Sequence, residues 1–255
     1  MGYLKEGYNI VNKNAQVALI IIILVVLVGS LLVFFVFKDK IDYFQKNIPP
    51  EVQPIYDHIL DCFEQRSIDA IRIVGLQGGY ANAPKKSVKV GNFDVAYGLY
   101  KNRDNLASLS KIESEISNLV ELDLPFCVDR KKFSQVSISQ GDSEVNVDIE
   151  QSFVEISAKL PLSIEGDNNT IELDRNYEII IPIRLKEIHS TAKNIVKNHL
   201  DDPDYIDLTY LAGLDFDVVF SHHTETNIIY TITDKDNQLN EVPYSFMFIV
   251  EGNGN

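Results

Sequence analysis

The residues best suited to metal or acid–base chemistry begin with a histidine pair near the end of a predicted strand. His222 and His223 are followed by Thr224 and Glu225. Adjacent side chains of a strand point to opposite faces, so the two imidazoles do not share one set of metal ligands. No HExxH spacing accompanies them. We therefore predict exposed turn histidines and no metal site.

A cluster of aspartates offers oxygen ligands instead, at Asp201, Asp202, Asp204 and Asp207. Calcium prefers such ligands, but the 12-residue calcium loop also requires a central glycine and a terminal glutamate, which this segment lacks. Helix termination and N-capping account for aspartates in this position. The cluster predicts neither a metal site nor a cofactor.

The glycine pair Gly78 and Gly79, between Gln77 and Tyr80, is too short for a phosphate-binding loop. It lacks the lysine and the Ser/Thr of such loops, and no predicted strand precedes it. A turn that ends a helix is the better interpretation. The sequence also lacks a GxSxG motif and an ordered Ser-His-Asp set. We predict no catalytic residues and no enzyme.

Composition limits the class of protein further. The chain has 255 residues, of which 45% are hydrophobic and 24% charged, so it can form a packed core. Its formal net charge is −14. A nucleic-acid-binding protein needs a basic surface that neutralises phosphates, so this charge argues against nucleic acid as a partner. The acidity is typical of a soluble, surface-exposed domain.

An uncharged apolar run covers residues 17–37. At about 1.5 Å per residue it would span roughly 31 Å as a helix, which matches the bilayer core. A cleaved signal peptide has a shorter apolar stretch and a small-residue cleavage site after it. The run therefore predicts a single-pass transmembrane helix with the lipid bilayer as a partner. The predicted organisation is a tail (1–15), a transmembrane helix and stalk (16–46), a domain (47–250) and a flexible tail (251–255).

The chain contains two cysteines, Cys62 and Cys127, and no CxxC motif. Two cysteines alone do not form a four-ligand zinc site. Behind a membrane segment, a single disulfide across a loop of about 65 residues is the natural hypothesis. Two unrelated buried thiols are the alternative.

The position of the domain relative to the membrane follows from several weak signals. The lysines on the two sides of the apolar run are nearly balanced, so the positive-inside rule does not decide the orientation. Asn168, Asn169 and Thr170 form an N-glycosylation sequon in a predicted turn. With the disulfide hypothesis and the short N-terminal tail, this predicts an extracytoplasmic domain at the cell surface. Asn168 is a candidate glycosylation site, and a chance occurrence of the short sequon is the alternative.

Hydrophobic periodicity predicts an α+β domain, with an antiparallel sheet and packed helices behind the transmembrane helix. Apolar residues at helical spacing predict four helices, at 51–76, 108–120, 184–200 and 205–211. Alternating patterns predict strands at 88–90, 93–100, 216–220, 228–233 and 244–250. Between 133 and 183 the alternation predicts a meander with one solvated face.

Lys13, Asn14, Ala15 and Gln16 stand just before the apolar run. This segment resembles the class III signal of archaeal type IV pilin-like proteins, in which a basic and a small residue precede a cut before glutamine. The resemblance implies processing between Ala15 and Gln16, with the apolar stretch kept as the N-terminal helix of a filament. Pilins usually carry glutamate at the fifth mature position, whereas this chain has Ile20.

Most of the chain resembles a group of uncharacterised single-pass archaeal membrane-anchored proteins with an extracytoplasmic domain. The segments that carry this resemblance are the lysine-glutamine-apolar N-terminus, Cys62, and residues 75–80, 124–127, 205–211 and 230–234. The resemblance implies the location of the domain and paired cysteines. It implies no activity.

Together these features predict a membrane-anchored structural or interaction protein of the cell envelope. Its sharper form is self-assembly in a pilin-like surface filament, with identical copies or another envelope protein as partners. The alternative is an extracytoplasmic ligand-binding or sensory module that acts with a partner. A deep apolar pocket would favour that alternative, and a flat continuous surface would favour assembly.

Overall fold

The computed structural model of the chain describes residues 48–166 and 169–252. The predicted transmembrane helix at 17–37 lies outside these residues. Within the two described ranges, no helix is both long and apolar enough to cross a membrane. Contacts divide the chain into two units at the boundary between Gln53 and Pro54. In the first unit, the Pro49 carbonyl accepts hydrogen bonds from Val52 and Gln53, which form a turn.

The described part of the chain is a mixed α+β structure, as predicted. Its helices are α1 (Gln53–Leu76), α2 (Leu109–Asp123), α3 (Leu185–Asp201) and α4 (Leu208–Ala212), with a 3₁₀ helix at Leu124–Cys127. The first seven strands are β1 (Ser87–Val90), β2 (Phe93–Tyr100), β3 (Arg103–Asp104), β4 (Ser137–Gln140), β5 (Glu144–Ile149), β6 (Val154–Lys159) and β7 (Leu162–Glu165). The remaining strands are β8 (Thr170–Leu173), β9 (Asn176–Ile181), β10 (Asp217–His222), β11 (Asn227–Leu239) and β12 (Val242–Glu251).

The larger sheet has the strand order β1-β2-β12-β11-β10, and β3 pairs with β2. Its pairings are antiparallel except that β12 runs parallel to β2. The predicted antiparallel sheet is confirmed, with this one parallel pair as an exception. Parallel neighbours need a long crossover connection, and the whole chain between β2 and β12 supplies one. Period-2 patterns within each strand do not reveal which distant strand becomes the neighbour.

Helices α1 and α3 cover one face of the larger sheet, and glycines allow the close approach. A Cβ on Gly75 of α1 would lie 2.7 Å from both the Ser245 carbonyl and the Tyr244 hydroxyl. A Cβ on Gly98 of β2 would lie 2.9 Å from the Phe248 ring and 3.2 Å from Val196 of α3. Tyr244 of β12 therefore packs directly against the backbone of α1, and Phe248 packs against the backbone of β2.

The second sheet system is the predicted meander. Its two ladders have the orders β4-β7-β8 and β5-β6-β9, all antiparallel. The chain passes from β4 to β5, from β6 to β7 and from β8 to β9 with only a few residues between them. The meander thus consists of three bent strands, and the ladder breaks where Gly141 donates a hydrogen bond to the Pro161 carbonyl (2.9 Å).

One face of the meander is buried and the other is solvated, as the alternation predicts. In β5 the three branched apolar residues are buried while Glu144, Asn146 and Asp148 are exposed. Tyr177 of β9 is fully buried on the inner face, where its ring stacks on Tyr56 of α1 at a centroid distance of 5.0 Å. Helix α1 therefore packs on the meander through its first turns and on the larger sheet through its last turns.

Helix α2 covers the free edge of β5. Ser117 Oγ donates to the Val145 carbonyl (2.5 Å), and the Ile149 N–H donates to Glu113 Oε1 (3.1 Å). The helix starts where predicted, because Ser108 Oγ accepts the Lys111 N–H (3.2 Å) as an N-cap. Side chains on α2 thus satisfy strand groups that would otherwise be open for pairing with another chain.

Candidate functional site

The predicted disulfide is confirmed. Cys62 of α1 is bonded to Cys127 at the end of the 3₁₀ helix, with a Cα–Cα distance of 5.6 Å and a sequence separation of 65 residues. Pro125 lies at the start of the 3₁₀ helix, where its missing N–H costs no hydrogen bond. The bridge joins the first described helix to the junction that follows α2.

A buried histidine links α3 to the larger sheet. His199, in the last turn of α3, is 1% exposed. Its Nδ1 lies 2.9 Å from the Pro203 carbonyl and its Nε2 lies 2.7 Å from the Tyr230 hydroxyl. A carbonyl only accepts, so Nδ1 carries the proton and Nε2 accepts from the hydroxyl. Burial lowers the pKa of His199, against the opposing effects of the Pro203 carbonyl, Asp204 and Asp202.

A narrow cleft opens above this pair. It is lined by Tyr205, Asp207, Tyr210 and other residues of the 205–211 segment, together with His199 and Tyr230. The Tyr230 ring stacks on Phe248 at a centroid distance of 5.4 Å. The space available suits a water-sized guest. Further clefts beside α2 and α3 are shallow and open to solvent.

An ion pair that sequence reasoning missed joins the start of α3 to β11. Arg184 Nε donates to Asp234 Oδ2 (2.9 Å) and Nη2 donates to Oδ1 (2.5 Å). The Asp234 carboxylate is fully buried and also accepts bonds from the Asp236 N–H and from Asn237 Nδ2. Burial would raise its pKa, but these hydrogen bonds and the Arg184 charge leave that pKa below its ordinary value.

The face of the larger sheet opposite α1 and α3 carries an apolar cluster. Val95, Ile229 and Ile249 are buried there, and their partly exposed neighbours are Val88, Val90, Phe93, Tyr97 and Met247. All of these residues belong to strands of the sheet itself. The apolar cluster of this outer face is thus continuous across β1, β2, β12 and β11.

A bulge places a second tyrosine on the outer face. The β2–β12 register shifts between Ile249 and Val250, so Tyr97 pairs with Ile249 whereas Leu99 pairs with Val250. Tyr100 consequently lies on the same side as Tyr97, with a ring–ring distance of 5.0 Å. Neither residue type nor strand alternation predicts this bulge.

Two lysines lie over the Tyr100 ring, and an arginine lies opposite Tyr100 on the neighbouring strand. Lys86 Nζ and Lys101 Nζ each lie 5.6 Å from its ring centroid, within the range of a cation–π contact. Arg103 of β3 pairs directly opposite Tyr100 and shares its face. We call Lys86, Tyr97, Tyr100, Lys101 and Arg103 the aromatic-basic corner. A carboxylate also lies at the aromatic-basic corner, because the Glu251 side chain accepts the Lys101 backbone N–H (2.7 Å).

The solvated face of the meander has the opposite charge. Its cross-strand rows are Asp148–Glu155–Ile180 and Asn146–Ser157–Glu178. Ile180 is 66% exposed on the edge strand β9, directly opposite Glu155. We call Asp148, Glu155, Glu178 and Ile180 the acidic face. Lys159 lies at its border and pairs with Asp174 (3.4 Å).

The predicted histidine and aspartate segments take structural positions. His222 ends β10, and the His223 N–H donates to the Asn227 carbonyl (2.8 Å) in the turn before β11. Asp207 Oδ1 accepts the Tyr210 N–H (2.9 Å) and caps α4, as predicted for this cluster. No group of three potential metal ligands converges within the described ranges.

Three predicted site residues fall outside the part of the chain that the structure describes. These are the processing residues Ala15 and Gln16 and the sequon residue Asn168. Neighbouring residues of the sequon belong to the β7–β8 hairpin, where Gly166 N–H donates to the Asn169 carbonyl (2.9 Å) and Thr170 is exposed. Processing and glycosylation stay predictions.

Comparison of this chain with protein-family models, with curated proteins and with solved structures finds no match. The resemblance to archaeal membrane-anchored and pilin-like proteins stays a prediction from sequence.

Proposed function

We propose that this chain is a membrane-anchored structural or interaction protein of the cell envelope, with its α+β domain outside the membrane. In the sharper form of the proposal, copies of the chain assemble in a pilin-like surface filament. The Cys62–Cys127 disulfide carries the proposal, because disulfides persist in oxidising compartments and are rare in the cytosol. The apolar run at 17–37 supplies the anchor.

The position of the disulfide suits a domain that is held at one end. Helix α1 is the first described helix after the apolar run, and Cys62 lies in its first half. Tension that enters through α1 would pass at Cys62 into the bridge and so to the α2 junction. The bridge thus limits the length of chain that tension could unfold before the disulfide resists it. A structural role in the envelope would use this property.

The shapes of the surfaces also favour assembly over ligand binding. The outer face of the larger sheet carries an apolar cluster that continues across four strands, whereas the cleft above His199 is narrow. Ligand pockets usually bury most of their ligand in a large concave site. The runner-up function, an extracytoplasmic ligand-binding or sensory module, would therefore need a ligand of very small size at that cleft.

Thiol labelling in intact cells tests the proposed location. A membrane-impermeant maleimide should leave Cys62 and Cys127 unlabelled before reduction and label both after an impermeant reductant and mild denaturant. The chain should remain in the membrane pellet after alkaline carbonate extraction. Labelling that requires cell lysis would place the domain in the cytoplasm and reject the proposal.

A further inference from the structure

Two surfaces of this domain are opposite in charge, although they belong to different sheets. The aromatic-basic corner places Lys86 and Lys101 over the Tyr100 ring and Arg103 opposite it in the β2–β3 pair, and Glu251 accepts the Lys101 N–H. The acidic face carries three carboxylates, and the exposed Ile180 lies beside Glu155 and Glu178. The local cationic cluster contrasts with the net charge of −14 of the whole chain.

The aromatic-basic corner lies at the end of an apolar surface. Phe93, Tyr97 and Met247 remain partly exposed beside it on the outer face. An apolar centre with charged residues at its rim is typical of protein interaction surfaces. Lys86 and Lys101 lie over an aromatic ring, so their ammonium groups stay close to this apolar surface.

The acidic face carries the complementary features, namely an exposed apolar side chain with carboxylates beside it. Ile180 projects from β9, and burying its exposed side chain would be favourable because apolar surface would leave water. Glu155 is its direct cross-strand neighbour, and Glu178 lies two residues away on the same face. Ile180 could therefore enter the apolar area near Tyr97 while the two carboxylates approach the lysines.

We propose that the aromatic-basic corner of one copy docks on the acidic face of a second copy. This inference rests on the proposed self-assembly and names the surfaces that would perform it. Because the two surfaces differ, the contact is heterologous and leaves one free surface of each kind on every pair. Such contacts extend into rings or filaments and do not stop at a dimer.

A charge-swap experiment with the full-length chain in phosphatidylcholine vesicles tests the proposal, with energy transfer between C-terminally labelled copies as the readout. K86E/K101E and E155K/E178K should each weaken association by about tenfold or more, because like charges then meet. An equal mixture of the two variants should restore it, because Glu of one variant meets Lys of the other while the native surfaces pair as before.

The matched control is K89E/K197E. Lys89 lies in β1 opposite Asp94 on the other side of the sheet, and Lys197 is an exposed residue of α3. This variant changes the net charge by the same amount as K86E/K101E and should associate like the wild type. All of the substituted side chains are exposed or partly exposed, and near-UV circular dichroism should show that each variant is folded.

Each other outcome overturns the interface in a recognisable way. If the wild type does not associate, both the interface and the proposed self-assembly fail. If all variants associate like the wild type, self-assembly survives and this interface fails. If association requires anionic phosphatidylglycerol, is lost in K86E/K101E and does not return on mixing, the corner binds lipid headgroups and not a second copy.

Discussion

Arg184 holds the buried carboxylate of Asp234 in a two-point hydrogen bond, with Nε–Oδ2 and Nη2–Oδ1 distances of 2.9 and 2.5 Å. Arg184 is the residue before α3, and Asp234 stands where the β11–β12 register shifts. The pair therefore fixes the end of the meander against the bulged hairpin of the larger sheet. The Arg184 guanidinium also lies over the Phe216 ring, 4.6 Å from the centroid.

Removing the buried partner should cost far more than removing an exposed one. We expect Asp234→Ala to lower the free energy of unfolding by about 3–5 kcal/mol, because it leaves the Arg184 charge without its partner. Asp236→Ala removes the second, 76% exposed carboxylate of the same arginine and should cost less than about 1 kcal/mol. Urea unfolding followed by near-UV circular dichroism measures both. Equal losses would contradict the role given to Asp234.

The Arg184–Asp234 pair also predicts that the stability of the fold decreases at low pH. The pKa of Asp234 is lower in the folded than in the unfolded chain, so the folded state binds fewer protons at this group. Its stabilisation should be complete above the unfolded value of about 3.9 and should disappear as the pH falls through the lower folded pKa. Unfolding midpoints of Asp234→Asn should therefore change less than those of the wild type below about pH 4.

His199 predicts a second pH dependence, nearer to neutrality. Because burial lowers its pKa, folding disfavours the protonated imidazole. Stability should be complete above the unfolded pKa of about 6.5 and should fall as the pH drops below it. Thermal unfolding midpoints of the wild type and His199→Gln, compared between pH 7.5 and 5, measure this difference.

The control for that experiment is His222→Gln, which changes an exposed histidine at the end of β10. His222→Gln should keep the wild-type pH dependence, whereas His199→Gln should reduce it. The partly buried His189, whose pKa burial also lowers, should leave a residual slope in both variants. An unchanged slope in His199→Gln would show that the burial of His199 does not favour the neutral imidazole.

The disulfide should supply a large share of the stability. In the chain-entropy model a bridge across 65 residues contributes about 4 kcal/mol. Cys62→Ser/Cys127→Ser should therefore lower the free energy of unfolding by an amount of this order. The wild type in reductant should behave like the double variant, and the double variant itself should not respond to reductant. A change below about 1 kcal/mol would contradict a structural role for the bridge.

Two glycines with positive φ allow the cost of backbone strain to be measured apart from the cost of steric overlap. Gly79 has a φ of 94° after α1, and a Cβ there would lie 2.6 Å from the Ala107 Cβ. Gly91, in the β1–β2 turn, has a φ of 60° and open space around it. Gly91→Ala should cost about 1 kcal/mol and Gly79→Ala clearly more, as urea unfolding would measure. Equal losses of stability would mean that Ala107 moves away from the new Cβ at no cost in free energy.

Local patterns in the sequence predicted most helices and strands because each pattern depends only on residues within one helix or strand. Ser108 marks the start of α2, and Gly78 and Gly79 take the positive φ expected of a helix end. The predicted strand at 228–233 was too short, since β11 continues to Leu239 through a polar segment. Contacts from Arg184 support that segment, and no alternation of side chains could reveal them.

The surfaces were harder to predict than the elements. The parallel β2–β12 pair and its bulge bring Tyr97 and Tyr100 together, and both depend on strands that lie far apart in the sequence. The predicted helix at 205–211 begins only at Leu208, where Asp207 supplies the cap. Strand β12 also includes Glu251, which the predicted flexible tail contained, and residues 253–255 lie outside the described ranges.

Mass analysis of the intact chain tests the central claim most directly, with protein from native membranes and from sheared surface material alkylated before or after reduction. The account predicts chains in the sheared material that begin at Gln16 and whose two cysteines alkylate only after reduction. Chains that begin at Met1 or Gly2, are missing from the sheared material and alkylate at both cysteines without reduction would contradict it.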